Sequence, residues 1–194
     1  MKIKIGFFAV LLFISLAISR GYHTLIPLLA VIIHEGGHII AAVALGKGFS
    51  GLELGIFGAR LNLSERLLSY GEEFAICIAG PAANILSVLF ILGAYMKSES
   101  ESLLYFILSS LFLAFINLLP IKTFDGGRML FCIIARISDE QKADFFLKVF
   151  SFISLFFIWS LSLYLLLRHT SSLSLFVFSA SVFASIFVDE GRYR

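Results

Sequence analysis

From Leu25 to Leu45 the chain reads LIPLLAVIIHEGGHIIAAVAL, with no acidic or basic side chain outside the central HEGGH. About 20 mainly apolar residues are enough for a helix to cross a bilayer. No water is present there to satisfy backbone N–H and C=O groups, so such a run folds as a helix. Five more runs have the same character: 5–19, 74–95, 103–119, 145–167 and 173–188. Only 14% of the residues are charged and 59% are hydrophobic, against about 25% charged in a soluble domain, and the mean hydropathy is +0.98. The expected fold class is an all-α polytopic membrane protein with about six transmembrane helices, built as a single domain over 1–194. The first run is short and follows Lys2 and Lys4, so a signal peptide with a small-x-small end at Ala17 and Ser19 is the alternative reading for it.

Alternating the six spans places Lys2, Lys4, Lys47, Arg60, Arg66, Lys122, Arg128, Arg136, Lys142, Arg192 and Arg194 on one side, against Arg20, Lys97 and Arg168 on the other. Lys148 falls inside the fifth span. The richer side is cytoplasmic by the positive-inside rule, which puts both termini in the cytoplasm and the loop KSESES, Lys97 to Ser102, outside. A net charge of +2 and the lack of a basic cluster with interleaved aromatics argue against a nucleic-acid partner. Cys77 and Cys132 stand far apart in apolar surroundings and read as packing residues rather than a disulfide framework or a cysteine zinc site. One stretch breaks the helical pattern. GFSGLELGIFGARLNL, 48–63, holds four glycines and alternates apolar residues with period two, which predicts a short membrane-associated β-hairpin turning near Phe57 and Gly58.

The chemistry concentrates in HEGGH. Residues four apart share a helix face, so His34 and His38 can aim ring nitrogens at one metal ion, with ligand distances of about 2.0–2.1 Å for zinc. Glu35 sits one position round, beside the ion, where it can take a proton from water. With four His and nine Glu in the chain, a chance H-E-x-x-H is expected roughly 0.004 times, and ionisable groups at membrane depth are expensive and usually functional. Gly36 and Gly37 each cost a helix interior about 1 kcal/mol relative to Ala, which points to close approach of another backbone or room for a substrate strand. A catalytic zinc needs a third protein ligand. The candidates are His23, His169, Glu72, Glu73 and Asp125. Asp125 stands out because it follows Pro120 in NLLPIKTFDGGR, where an apolar helix breaks and restarts after two glycines. Irregular backbone at that depth is tolerated only against protein or a water-filled cavity. The plainer reading is that Asp125 caps a helix starting at Gly126.

HEGGH in an early span, EEFAICIAGPAAN at 72–84 and NLLPIKTFDGGR at 117–128 resemble, in order and spacing, the three signatures of the site-2 protease family of intramembrane zinc metalloproteases. The likeness is greatest to its compact stage IV sporulation protein FB branch, which lacks an inserted PDZ domain. The resemblance implies that Asp125 is the third zinc ligand beside His34 and His38, that Glu35 is the catalytic base, and that 48–63 is the family's membrane-associated β-loop. Asn84, Asn117, Pro120 and Gly126 lie inside the motifs and are expected to support the site or substrate, with interhelical hydrogen bonding the plain alternative for the two asparagines. Pro81 is expected to kink the third span. The chain departs from the family where Lys122, Thr123 and Phe124 replace its P-x-P-L run, and no CBS domain of the sporulation branch is expected in it.

The implied function is hydrolysis of peptide bonds in or near transmembrane segments of membrane-associated proteins. The substrate class is a pro-sigma factor in sporulation, or alternatively an anti-sigma factor or a signal-peptide remnant. The implied setting is a bacterial cell membrane, with the lipid bilayer and regulatory membrane proteins as partners. Two other classes fit histidines in a span: a zinc carrier or transporter, which has no need of Glu35, and a catalytically silent scaffold, which predicts no stoichiometric zinc.

Overall fold

A computed structural model of the chain describes residues 2–5, 25–47, 49–55, 58–63, 68–168 and 183, with the backbone alone for the three strands. The elements in order are β1 (Lys2–Ile5), α1 (Leu25–Ala44), β2 (Phe49–Gly55), β3 (Gly58–Leu63), α2 (Tyr70–Ser98), α3 (Glu101–Asn117), α4 (Asp125–Ile137) and α5 (Glu140–Arg168). The chain divides into two compact units, Met1–Leu118 and Leu119–Arg194.

Three of the helices, α1, α2 and α5, are long and apolar enough to cross a membrane, and α3 is a shorter apolar helix. Their bounds extend or trim the expected spans. Residues 74–95 lie within the 29-residue α2, 145–167 within α5, and the fourth run stops at Asn117 rather than 119. At 1.5 Å per residue α2 is about 43 Å long, more than the roughly 30 Å of hydrocarbon, so its ends, with Glu72, Glu73 and Lys97, reach the polar interface. The expected spans at 5–19 and 173–188 lie outside the described residues, except that Ile5 belongs to β1 and Phe183 is helical.

In the first unit, α1, α2 and α3 pack against one another. Each contributes one narrow stripe. On α1 it is Ala30, His34, Gly37, His38 and Ala42; on α2, Ile76, Cys77, Gly80, Pro81, Asn84 and Val88; on α3, Phe106, Ile107, Ser110 and Ala114. The recurrence at three and four residues is that of one helix face. The opposite faces expose Leu25, Leu29, Ile32, Ile40 and Val43 on α1 and Leu86, Leu89 and Phe90 on α2. This differs from a soluble helix: most large apolar residues face outward to lipid, while small and polar residues, joined by Ile76, Val88, Phe106 and Ile107, make the helix contacts.

Local chemistry fixes the helix ends. Ser69 caps α2 in a capping box: its hydroxyl accepts from the Glu72 N–H, and the Glu72 carboxylate accepts from the Ser69 N–H at 2.9 Å. The same carboxylate pairs with Lys47 at 2.9 Å, joining the chain just past α1 to the start of α2. Glu99, at φ 46°, closes α2 in the left-handed conformation and donates its N–H to the Tyr95 carbonyl at 2.8 Å. The turn to α3 is therefore only two residues long, and α2 and α3 run antiparallel. The helix α2 is continuous through Pro81.

β2 and β3 pair antiparallel, with Leu52 opposite Leu61 and Leu54 opposite Ala59, and β1 pairs parallel along the other edge of β2. The strand at Lys2–Ile5 was not expected: a four-residue alternation beside an apolar run carries too little signal to read. The turn residues 56–57 lie outside the described residues.

In the second unit α4 packs on α5. The buried stripe of α5, Ala143, Leu147, Ser151 and Leu155, has a four-residue spacing, and the remainder of that helix presents Phe145, Phe152, Phe156, Phe157 and Trp159 outward. Lys148, inside the expected fifth span, pairs with Asp144 one turn earlier at 3.0 Å.

Candidate metal centre

His34 and His38 lie on the packed face of α1, 4% and 7% exposed, rather than toward lipid. The stripes that bury them cross in opposite directions. His38 meets Ile76 and Gly80, and His34 meets Gly80 and Asn84. His38 Nδ1 lies 2.8 Å from the Ile76 carbonyl oxygen. A carbonyl only accepts, so Nδ1 carries the proton, and the neutral ring turns its Nε2 lone pair away. That lone pair points at His34 Nε2, 3.2 Å distant.

Two nitrogens sharing a tetrahedral zinc at about 2.0–2.1 Å stand about 3.3 Å apart, so the spacing of the histidine pair suits zinc. The rings meet edge to face at 85°, with centroids 4.8 Å apart. Glu35 is half-buried on the same helix, adjacent to His34.

Gly80 makes room for this. A Cβ on it would collide with His38 Nε2, would lie 2.5 Å from His38 Cε1 and would come within 3.0 Å of His34 Cε1. Gly37 lets the helices approach, since its Cβ would strike the Ala79 carbonyl oxygen and lie 2.8 Å from the Ala83 side chain. Gly36 has nothing within 4 Å of such a Cβ. The joint explanation expected for the two glycines therefore splits: Gly37 serves backbone approach, and Gly36 faces open space.

Asn84 is fully buried, and its amide nitrogen lies 3.3 Å from His34 Nδ1, which assigns it to the ring. Asn117 instead donates to the Leu113 carbonyl of its own helix at 3.0 Å.

Asp125 is half-buried at the start of α4, in the second unit. The helix restarts at Asp125 itself, not after the glycines, and its cap residue is Phe124, extended at φ −106° and ψ 163° with no side-chain cap bond. Asp125 is thus the first helical residue and not the cap of a helix starting at Gly126. Gly126 and Gly127 are buried in that first turn, and a Cβ on Gly127 would overlap the Ile121 carbonyl oxygen, so the turn closes directly beneath the preceding loop. The loop is pinned from α5, where Ser151, 2% exposed, accepts from the Lys122 N–H at 2.9 Å and donates to the Pro120 carbonyl at 3.4 Å. Pro120 therefore contributes a carbonyl anchor as well as the helix break. Ser151 was not legible beforehand, being 31 residues from Pro120 and one of many serines in apolar runs.

Residues 91–161 match Peptidase family M50. The chain is 36% identical over 124 residues to the stage IV sporulation protein FB of Bacillus subtilis, a match covering 60% of this chain and 41% of that protein. It is 31% identical over 119 residues to a Synechocystis protein provisionally named a zinc metalloprotease, covering 58% of this chain and 31% of the other. The matched chain thus spans less than half the length of either curated relative. Its fold is similar to that of the site-2 protease from Methanocaldococcus jannaschii, with a TM-score of 0.60 at 24% identity over 89% of this chain and 82% of that one. The likeness to the site-2 protease family expected from the sequence holds in all three comparisons.

Proposed function

From a membrane chain that carries a peptidase family M50 match and resembles the site-2 proteases, we propose an intramembrane zinc metalloprotease, a single membrane-embedded domain over 1–194 that hydrolyses peptide bonds in or near transmembrane segments. The observation that carries this reading is the histidine pair: two imidazoles buried on one helix face, with Nε2 atoms 3.2 Å apart and a carboxylate beside them.

His34, His38 and Asp125 would hold the metal. Zinc, when bound, supplies a Lewis acid that polarises the scissile carbonyl and makes water acidic near neutral pH. Glu35 is the general base. It takes a proton as the water oxygen bonds to the carbonyl carbon, and returns a proton to the amine as the C–N bond breaks. The loop restrained by Ser151 supports the role of Asp125, because a ligand arriving on a broken helix needs a fixed backbone.

A carbonyl within an intact substrate helix is already hydrogen-bonded, so the substrate must unwind to be cut. The β2–β3 hairpin is the natural receiver of the extended segment, adding it as a strand. The chain is a multi-pass bacterial membrane protein with both termini cytoplasmic, and the substrate class suggested by the sporulation relative is a membrane-associated pro-sigma factor.

The test is co-expression with candidate membrane substrates, wild type beside Glu35→Gln, with zinc measured on both purified proteins. The expected result is loss of cleavage with zinc content retained. Cleavage that survives the substitution would sink the mechanism, and wild-type protein that purifies without stoichiometric zinc would sink the metal centre.

A further inference from the structure

The Asn84 side chain carries an imbalance. Its amide nitrogen faces His34 Nδ1 at 3.3 Å, while its buried oxygen, Oδ1, has no hydrogen-bond partner. A buried polar atom left unmatched forfeits its hydration with nothing in return, so the arrangement calls for a reason. The neighbouring bonds form a consistent chain of donors. The amide donates to His34 Nδ1, which must then be unprotonated, so the His34 proton sits on Nε2. From there it is donated to His38 Nε2 across 3.2 Å, and His38 donates from Nδ1 to the Ile76 carbonyl.

This arrangement is one of two that the same atoms allow. An ion on the two Nε2 atoms needs both lone pairs, which moves the His34 proton to Nδ1. The amide nitrogen then faces another donor, and a half-turn of the amide brings Oδ1 to the ring instead. That turn breaks no other bond, because Oδ1 has none.

We propose that Asn84 is a positioning residue for the metal centre: its amide turns its oxygen to His34 Nδ1–H when the ion binds, holding the ring in the tautomer that offers Nε2. This rests on the zinc-protease reading above. Histidine ligands generally donate their second N–H to such an acceptor, and removing the acceptor costs about 10–100-fold in metal affinity. His38 has Ile76, a backbone carbonyl that no substitution removes. His34 has Asn84, which makes it the ligand whose orientation depends on a side chain.

The full chain, purified in detergent, is titrated with zinc against a competing chelator, and the imidazole nitrogen NMR spectrum is recorded before and after zinc. Asn84→Leu keeps the branched shape and removes the acceptor; Asn84→Asp keeps an oxygen. The expected result is zinc affinity lowered about 10–100-fold in Asn84→Leu and close to wild type in Asn84→Asp, with wild-type His34 moving its proton from Nε2 to Nδ1 on zinc addition. Equal affinity in wild type and Asn84→Leu overturns the proposal, as does an equal loss in both variants, which would mark Asn84 as a packing residue. Wild-type protein that binds no zinc would instead overturn the protease reading beneath it. Helix content by circular dichroism identifies a variant that has lost its fold, and Asn84→Asp then carries the comparison through its nitrogen spectrum.

Discussion

Gly36, Gly37 and Gly80 are chemically the same residue and have three different surroundings. Gly80→Ala places a methyl where the His38 ring edge lies, so it should lower zinc affinity sharply while leaving the helices inserted; chelator competition reads this. Gly37→Ala places the methyl against the Ala79 carbonyl and the Ala83 side chain, with no flexible group to give way, so it should separate α1 from α2 and lower thermal stability even without metal. Gly36→Ala meets nothing and should be neutral or stabilising by up to about 1 kcal/mol through helix propensity. Comparable melting temperatures for the Gly36 and Gly37 variants would contradict this division. The spacing of HEGGH made both histidines legible, because four residues on a helix give a metal-binding face whatever surrounds them. Asn84 was legible as a polar residue inside a family motif, expected to support the site, but its partner was not, being 50 residues away. Gly80 was not legible at all, because glycine is frequent in membrane helices for packing reasons.

Among the elements, the hairpin and the α5 cap make separable predictions. Adjacent residues of an antiparallel strand point their N–H groups to opposite edges, so of Arg60→Pro and Leu61→Pro, one removes a bond to β2 and the other removes an N–H from the outer edge of β3. The outer-edge variant should lower cleavage with zinc content unchanged, if the edge receives substrate; unchanged cleavage in both would argue against strand addition. At the start of α5, Asp139 accepts from the Lys142 N–H at 2.7 Å. That backbone bond, followed by the Lys142 side chain, holds its carboxyl below the ordinary 3.8. A lowered folded-state pKa stabilises above the ordinary value and loses that contribution as pH falls through the folded one. The stability of wild type should therefore drop more than that of Asp139→Ala between neutral pH and pH below about 4, measured by thermal unfolding across the range. A parallel decline in the two proteins would remove Asp139 from the account. The restart of α4 at Asp125 could not be read in advance, because the glycines that follow look like a break until the Ile121 carbonyl above them is known.

For the molecule as a whole, the apolar runs made the membrane class legible, and the charge asymmetry supplies a topology to test. A reporter inserted in the Lys97 to Ser102 loop should be active only outside the cytoplasm, and one fused after Arg194 only inside; the reverse pattern would invert the orientation. The stripes facing inward were less legible, because a bilayer rewards apolar residues on every outward side and removes the amphipathic contrast that marks packed faces in water. The contact between His38 and the Ile76 carbonyl also bears on how the protein is made. α1 leaves the ribosome with two imidazoles and a carboxylate at its centre, before α2 has been synthesised. A charged residue there costs about 2.5–3.5 kcal/mol during insertion, and the groups that receive the two imidazoles, Ile76, Gly80 and Asn84, arrive 38 to 50 residues later. Biogenesis should therefore proceed by helical hairpins, with α1 waiting at the translocon until α2 can enter the bilayer beside it.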